Sequence, residues 1–426
     1  MGGGLLNIVA YGNQNVILTG NPTKTLFKCA YAKYTNFGLQ KFRIDYDGLR
    51  TLHIDSGSHF SFKVPRYADL LMDTYLVVTL PTIWSPIVPP TKPTGDSKES
   101  RWRPYEFKWI KHIGTQMIER VRFTIGGQTI QEYTGQYLHN LVERDFDASK
   151  KELYYKMTGH TPELNDPANA YGNINTYPNA YYTKETSTQG PEPSIRTRKL
   201  YIPLNIWFTL AAKMAFPLAS LQYNELQIEV DLRPVRELFV IRNIPDGEDN
   251  QFSYYKKASS TEPLEQFYRF IHPPPSQNLQ DNVDYTDKRT NWNADVHLIS
   301  TYAFLTEDEV RVFAANSQTY LIKQAYSQTF HNITGPQKVK LETMGMVANW
   351  TWFFQRSDAT LRNEWSNYTN WPYDALPYGV VDPDNSVNVH VNEKLILGSN
   401  TFDPGTHGDG DPSSLLITGA YQVENE

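Results

Sequence analysis

Ten histidines and a single cysteine bound the metal and nucleophile chemistry open to this 426-residue chain. His53 and His59 stand six positions apart, with no carboxylate or third ligand at metal-site spacing, so they read as structural or surface side chains. Cys29 stands alone, which excludes an intrachain disulfide and a cysteine-based zinc site, and it reads as a small buried side chain. Glu307, Asp308 and Glu309 are carboxylates of the kind a glycosidase pairs across a bond. They follow Thr306 in capping-box spacing, however, and acidic groups favour a helix N-terminus. The acidic run Asp403–Asp411 raises calcium, but its spacing is not that of an EF-hand loop, and a solvated turn accounts for it. No P-loop, nucleophile elbow or dinucleotide glycine fingerprint occurs, and Gly2-Gly3-Gly4 precedes no strand–helix unit. The residues therefore imply no catalytic, metal or cofactor site. Sequons fall at Asn332, Asn349 and Asn367. Asn332 and Asn367 lie in loops and are the candidate glycosylation sites, whereas Asn349, beside Trp350-Thr351-Trp352, is expected to be buried in a strand.

Charge and composition narrow the classes further. The formal net charge is −6, and no Lys/Arg run reaches five residues. Proteins that coat nucleic acid carry a basic surplus, because phosphate neutralisation drives that binding; direct genome contact is not expected. One cysteine fits folding in a reducing compartment. The N-terminus lacks the basic and apolar regions of a signal peptide, and no stretch of 18 apolar residues suggests a membrane span. Myristoylation at Gly2 would need Ser or Thr where Leu6 stands.

The elements are mostly strands. Aromatics make up 13% of the chain, and 27 Pro and 25 Gly punctuate it, a composition suited to pleated surfaces and turns. Phe60, Phe62 and Val64 alternate with polar residues, and Leu226–Leu232 alternates more cleanly still, with Pro234 beyond it. Thr74–Leu80 is a continuous apolar run, as in a strand buried on both faces. Arg120–Ile125 and Gln128–Gln131 flank Gly126-Gly127, a hairpin signal. A helix is expected over 136–156, with Gly159 as its stop. Strand-like runs resume at Val296–Leu305, Thr319–Lys323, Lys338–Glu342 and Trp350–Phe354, with a capped helical turn over Thr306–Ala314 between them. Pro81–Pro104, 160–198, 366–386 and 398–413 read as long loops. Strands with a few short helices, occurring twice without βαβ alternation, predict an all-β chain of two sandwiches.

Asn7–Pro22, ending in Thr19-Gly20-Asn21-Pro22, and then Thr25-Leu26-Phe27-Lys28 and Tyr34-Thr35-Asn36-Phe37, resemble the opening of the major capsid proteins of nucleocytoplasmic large DNA viruses. Tyr302–Ala314, YAFLTEDEVRVFA, is similar to that family's second-domain opening. The resemblance implies two tandem jelly-roll β-sandwiches, a double jelly-roll with short helices and long surface loops. It divides the chain into an N-terminal arm (1–24), a first jelly-roll (25–241), a linker region (242–284) and a second jelly-roll (285–426), expected to be incomplete at its C-terminus. It implies a structural virion protein and no enzyme: a homotrimer forming pseudo-hexagonal capsomers of an icosahedral capsid, assembled in host cytoplasm. Partners would be neighbouring capsomers, minor capsid and penton proteins, and an internal membrane touched through the arm. Residues 160–198 would form a tower loop. The alternatives are a minor or paralogous capsid component, or a carbohydrate-binding jelly-roll protein whose loop aromatics stack on sugars.

Overall fold

The computed structural model describes residues 35–88, 103–104, 106–173, 177–180, 191–221, 223–242, 255–275, 285–343 and 345–369. Strands are numbered along the chain. One sheet holds β1 (Gly38–Asp45), β14 (His297–Phe304), β3 (Leu70–Leu80), β9 (Arg198–Pro203) and β10 (Phe216–Pro217). It runs β1-β14-β3, and β10 and β9 pair successive stretches of the far edge of β3. The facing sheet is β2 (Ser58–Lys63), β11 (Leu226–Leu232), β7 (Ile118–Ile125) and β8 (Gln128–Tyr133), in the order β2-β11-β7-β8. All these pairings are antiparallel. Along the chain, strands pass from sheet to sheet: β1, then β2, then β3, then the β7–β8 hairpin, then β9 and β10, then β11, then β14. That is the double Greek-key path of a jelly-roll.

The residue pattern explains the layers. Phe60 and Phe62 of β2, Val121 and Phe123 of β7, and Ile228 and Val230 of β11 all point into one core with Leu76 and Val78 of β3, Leu200 and Ile202 of β9, and Leu298 of β14. Along β11 burial alternates strictly, as the period-two pattern predicts. Leu76, Val77 and Val78 are consecutive and all fully buried, so β3 is covered on both faces. The hairpin turns at Gly126 (φ 55°) and Gly127 (φ 82°), the two positive φ values of a type I′ turn.

Three corrections to the expected organisation follow. First, His297–Phe304 belongs to the first jelly-roll. It lies between β1 and β3, and all eight residues of β1 are in register with it. Second, residues 242–284 are not a bare linker where they are described. Tyr255–Lys256 (β13) pairs with Phe239–Arg242 (β12), which pairs with Phe107–Trp109 (β6). Phe267 lies tilted against Phe239 at 5.3 Å, and Phe270, on the short helix α5 (Tyr268–Ile271), against Phe107 at 5.4 Å, so both rings extend the core. Third, the described parts of 160–198 lie on the body of the roll rather than standing away as a tower. Leu164, Ala168, Tyr177, Ala180 and Ile195 are buried, and Ile195 bridges to Ile83. The Tyr177 hydroxyl donates to the Phe107 carbonyl at 2.6 Å. The ladder Ile87–Val88 (β4) with Arg103–Pro104 (β5) lies within the proline-rich loop.

The expected single helix over 136–156 is two: α2 (Gly135–Asp145) and α3 (Ala148–Thr158). Phe146 is extended (φ −93°, ψ 139°), and Asp147 then caps α3 by accepting the Lys150 N–H at 2.7 Å. With α1 (Ile113–Gln116) and α4 (Pro162–Asn165) they form a shoulder beside the sheets. Its close approach depends on Gly135: a Cβ there would lie 2.0 Å from the Thr115 carbonyl oxygen and 2.4 Å from that of Ile118. Gly135→Ala is therefore expected to lower the unfolding free energy by about 1–3 kcal/mol or more, the cost of overpacking against backbone. Urea unfolding of the two proteins side by side measures it; an unchanged midpoint would contradict the packing.

Candidate assembly surface

The outer face of the β2-β11-β7-β8 sheet is built by the polar half of the same alternation. Asp231 on β11 stands in register with His59 on β2 and Arg120 on β7. Its carboxylate meets His59 Nδ1 at 2.5 Å and Arg120 Nη2 at 2.8 Å. Glu229, one alternation earlier, accepts from Arg122 Nη1 at 2.7 Å, and Arg122 Nε reaches Glu132 on β8 at 3.2 Å. Basic and acidic side chains thus alternate across four strands. Partial burial pushes the Asp231 carboxyl up, but the bonds from His59 and Arg120 outweigh it and hold the group below the usual carboxylate range. Each exposed cross-strand pair contributes roughly 0.2–1 kcal/mol. The charged side chains named here pair with one another across the strands.

A second surface is apolar. Thr319–Lys323, Lys338–Glu342 and Trp350–Phe354, expected as strands, form no ladder among the described residues. A β pattern supplies propensity, whereas a strand needs a partner for its backbone groups. Tyr320 and Ile322 of the first run lean on the core, the Tyr320 ring 4.8 Å from that of Trp207, whereas the last run stays outside: Trp352 is 77% exposed and Phe354 72%. Runs of exposed apolar residues on this scale mark interaction sites. Both ends of the segment are tied to the roll. Gln131 Nε2 donates to the Lys323 carbonyl at 3.0 Å, and Gln324 Nε2 to that of Ile130 at 3.2 Å, beside β8. Further on, Asn363 Nδ2 donates to the carbonyls of Arg236 and Phe239, both at 2.8 Å, and the Arg233 guanidinium lies 3.8 Å from the Trp365 ring centre.

The individually named residues fall as follows. His59 joins the charge lattice, and His53 is exposed without joining it. Glu307, Asp308 and Glu309 open the helix α6 (Glu307–Ala315), and Thr306 meets the Glu309 carboxylate at 3.3 Å instead of capping a backbone N–H. Asn332 is exposed at φ 60°. Asn349 is exposed rather than buried, because the expected strand around it does not form. Asn367 is only 2% exposed, and its Oδ1 accepts from both the backbone N–H and the hydroxyl of Thr369. That engagement is the reverse of an open glycosylation acceptor. Gly2-Gly3-Gly4, Cys29, the arm 1–24 and Asp403–Asp411 lie outside the described residues. Among the described residues no three His, Cys, Asp or Glu side chains are grouped to hold a metal, and no helix is long and apolar enough to cross a membrane. A cavity bordered by Trp109, Asn363 and Trp365 encloses about 20 Å³, the space of one water molecule. What sequence reasoning missed is a contact of three histidines, His112, His139 and His160, on the helical shoulder; their separation along the chain carries no motif.

The lattice makes a measurable claim. Asp231→Asn is expected to cost about 1 kcal/mol at neutral pH in low salt, less in high salt. A carboxyl held low in the fold contributes stability above its unfolded pKa and loses it as pH falls through the folded value. The gap between the two proteins should therefore close in strong acid; a gap that is constant from neutral pH into strong acid would contradict the assignment.

The family model described as "Major capsid protein N-terminus" matches residues 25–269. A major capsid protein of Chrysochromulina ericina virus is 31% identical over 76% of this chain and 52% of its own length. That of Phaeocystis pouchetii virus is 27% identical over 99% of this chain and 74% of its own. Capsid protein 1 of Acanthamoeba polyphaga mimivirus is 29% identical over 76% of this chain and 43% of its own. This chain thus spans about half the length of two of these three relatives. Among solved structures, the Faustovirus major capsid protein is 14% identical, covering 73% of this chain and 64% of its own, with a TM-score of 0.42. The PBCV-1 virus capsid is 16% identical, covering 70% and 50%, with a TM-score of 0.40. With more than half of its length inside the matched region, the chain belongs to the major capsid protein family.

Proposed function

We propose that this chain is a structural subunit of the icosahedral shell of a large DNA virus, working through repeated contacts and not through catalysis. The observation that carries the reading is a jelly-roll, whose strands up to β13 lie in the family-matched region and whose last strand is β14, next to a segment at 317–354 that forms no ladder among the described residues and exposes Trp352 and Phe354. A two-sheet roll keeps edge strands open to pairing, and exposed apolar chain beside it calls for further strands or further copies. In this reading a second roll begins with α6, not at residue 285, and includes the Trp350–Phe354 stripe. Three copies join about a three-fold axis through heterologous contacts that close, giving a pseudo-hexagonal capsomer. Its trimer interface would bury more than about 2,000 Å², the obligate class.

Neighbouring capsomers, minor capsid and penton proteins would be the partners, with the arm 1–24 turned to the shell's inner side and towards an internal membrane. A net charge of −6 favours protein contacts over genome contacts. The virion is the proposed location and host cytoplasm the place of assembly.

Light scattering on the purified chain, with negative-stain imaging of the same peak, tests this. Three chains of 49.0 kDa give a particle of about 147 kDa with a hexagonal outline. A cooperatively folded 49.0 kDa monomer at micromolar concentration would contradict the capsomer.

A further inference from the structure

Three histidines far apart in sequence meet on the helical shoulder. His112 sits in the left-handed region (φ 53°) where the chain enters α1. Its ring stacks on that of His160, with centroids 3.7 Å apart and planes 10° from parallel. The His139 ring, on α2, lies 4.6 Å from His112. Tyr155 of α3 closes the side, 5.2 Å from His112 and 5.1 Å from His160. His160 Nδ1 accepts the His112 backbone N–H at 3.2 Å and lies 3.1 Å from Asn165 Nδ2 on α4. That arrangement places the His160 ring proton on Nε2 in the neutral form.

The charged groups around the cluster do not favour a cation. Glu143 of α2 faces it, but that carboxylate already accepts from the Tyr155 hydroxyl and from Lys151 Nζ. Lys111 adds positive charge on the chain entering α1. Tyr368, the group facing His139 from the segment that follows Trp365, stacks parallel to it at 6.3 Å and bonds Gln136 of α2. Burial, reinforced by the like charges of His160, His139 and Lys111, pushes the His112 imidazole down to about 2, and burial lowers His139 as well.

We propose that the His112–His139–His160 stack is an acid-sensitive latch, holding α2, α3 and the 363–369 segment on the jelly-roll while its rings are neutral and releasing them when the rings take up protons. The sign follows from linkage. His112 and His139 bind protons in the open form with an ordinary pKa near 6.5 and resist them in the closed form, so stability of the closed shoulder is full above about pH 6.5 and falls as the pH drops below it. The two sheets hold no such cluster among the described residues; their buried histidine, His297 on β14, is a single ring lowered by burial, so the shoulder is expected to open before the sheets. The inference rests on the shoulder alone and holds whether or not the chain builds a shell.

Hydrogen exchange of the full chain between about pH 7 and pH 5, corrected for intrinsic rates, tests it. Amides of 135–160 and 363–369 should gain exchange by about tenfold or more relative to β7 and β11. The double variant His112→Asn and His160→Gln should lose that acid-dependent gain; Asn tolerates the left-handed backbone at position 112. Should the variant fold poorly, proton NMR of the wild-type imidazoles decides. Cooperative titration of the three rings together with the opening supports the latch. Independent titration of each near pH 6.5, or shoulder exchange that tracks the sheets at every pH, would overturn it.

Discussion

The fold depends on one insertion: His297–Phe304 must enter the gap between β1 and β3. Gly38–Asp45 pairs with nothing else among the described strands, so without β14 it would be cut off from the sheet, and β3 would carry a bare row of N–H and C=O groups along one side. Open edges of that length are both costly and prone to associate. The strand that fills the gap arrives after β11 and the β12–β13 ladder, more than 200 residues beyond β3. Closing so long a loop costs entropy that grows only slowly with length, and the full set of cross-strand pairs on both sides offsets it. Arg43 on β1 adds a second clasp, its guanidinium paired with Asp295 just before β14.

The shoulder and the segment beyond α6 are organised around this closed roll. Gly135 lets α2 sit against the carbonyls that end α1, and the helices in turn place His139 and His160 against His112. Asn363 and Trp365 then fix the later segment to the β12 region through backbone carbonyls. The chain between these anchors leaves aromatic side chains such as Trp352 and Phe354 outward.

Much of the first roll was legible in the sequence because its signals are local. Period-two alternation marked β2 and β11, and Gly126-Gly127 marked the hairpin, since each rests on neighbouring residues alone. The domain boundary was not legible for the opposite reason. The composition of His297–Phe304 identifies a strand but not which strands it joins, and the prolines at 273–275 look like a linker although Phe267 and Phe270 just before them complete the core. The helix over 136–156 was read as one because Asp147 acts as a cap only once Phe146 is extended. The runs at 319–323, 338–342 and 350–354 carry strand composition without strand pairing, since pairing is a property of the partner. Asn349 follows the same composition without the pairing, and Asn367 stands in a loop whose Thr369 donates twice to its side-chain oxygen, a contact that residue types alone do not reveal.

Hydrogen exchange at neutral pH, resolved strand by strand on the full chain, tests the closure of the roll most directly. Amides of His297–Phe304 should be as slow as those of Leu70–Leu80, with Gly38–Asp45 protected on its β14 side and Thr319–Lys323 fast. If His297–Phe304 exchanges as fast as Thr319–Lys323 while Leu70–Leu80 stays slow, the strand does not close the roll and the account of the fold fails.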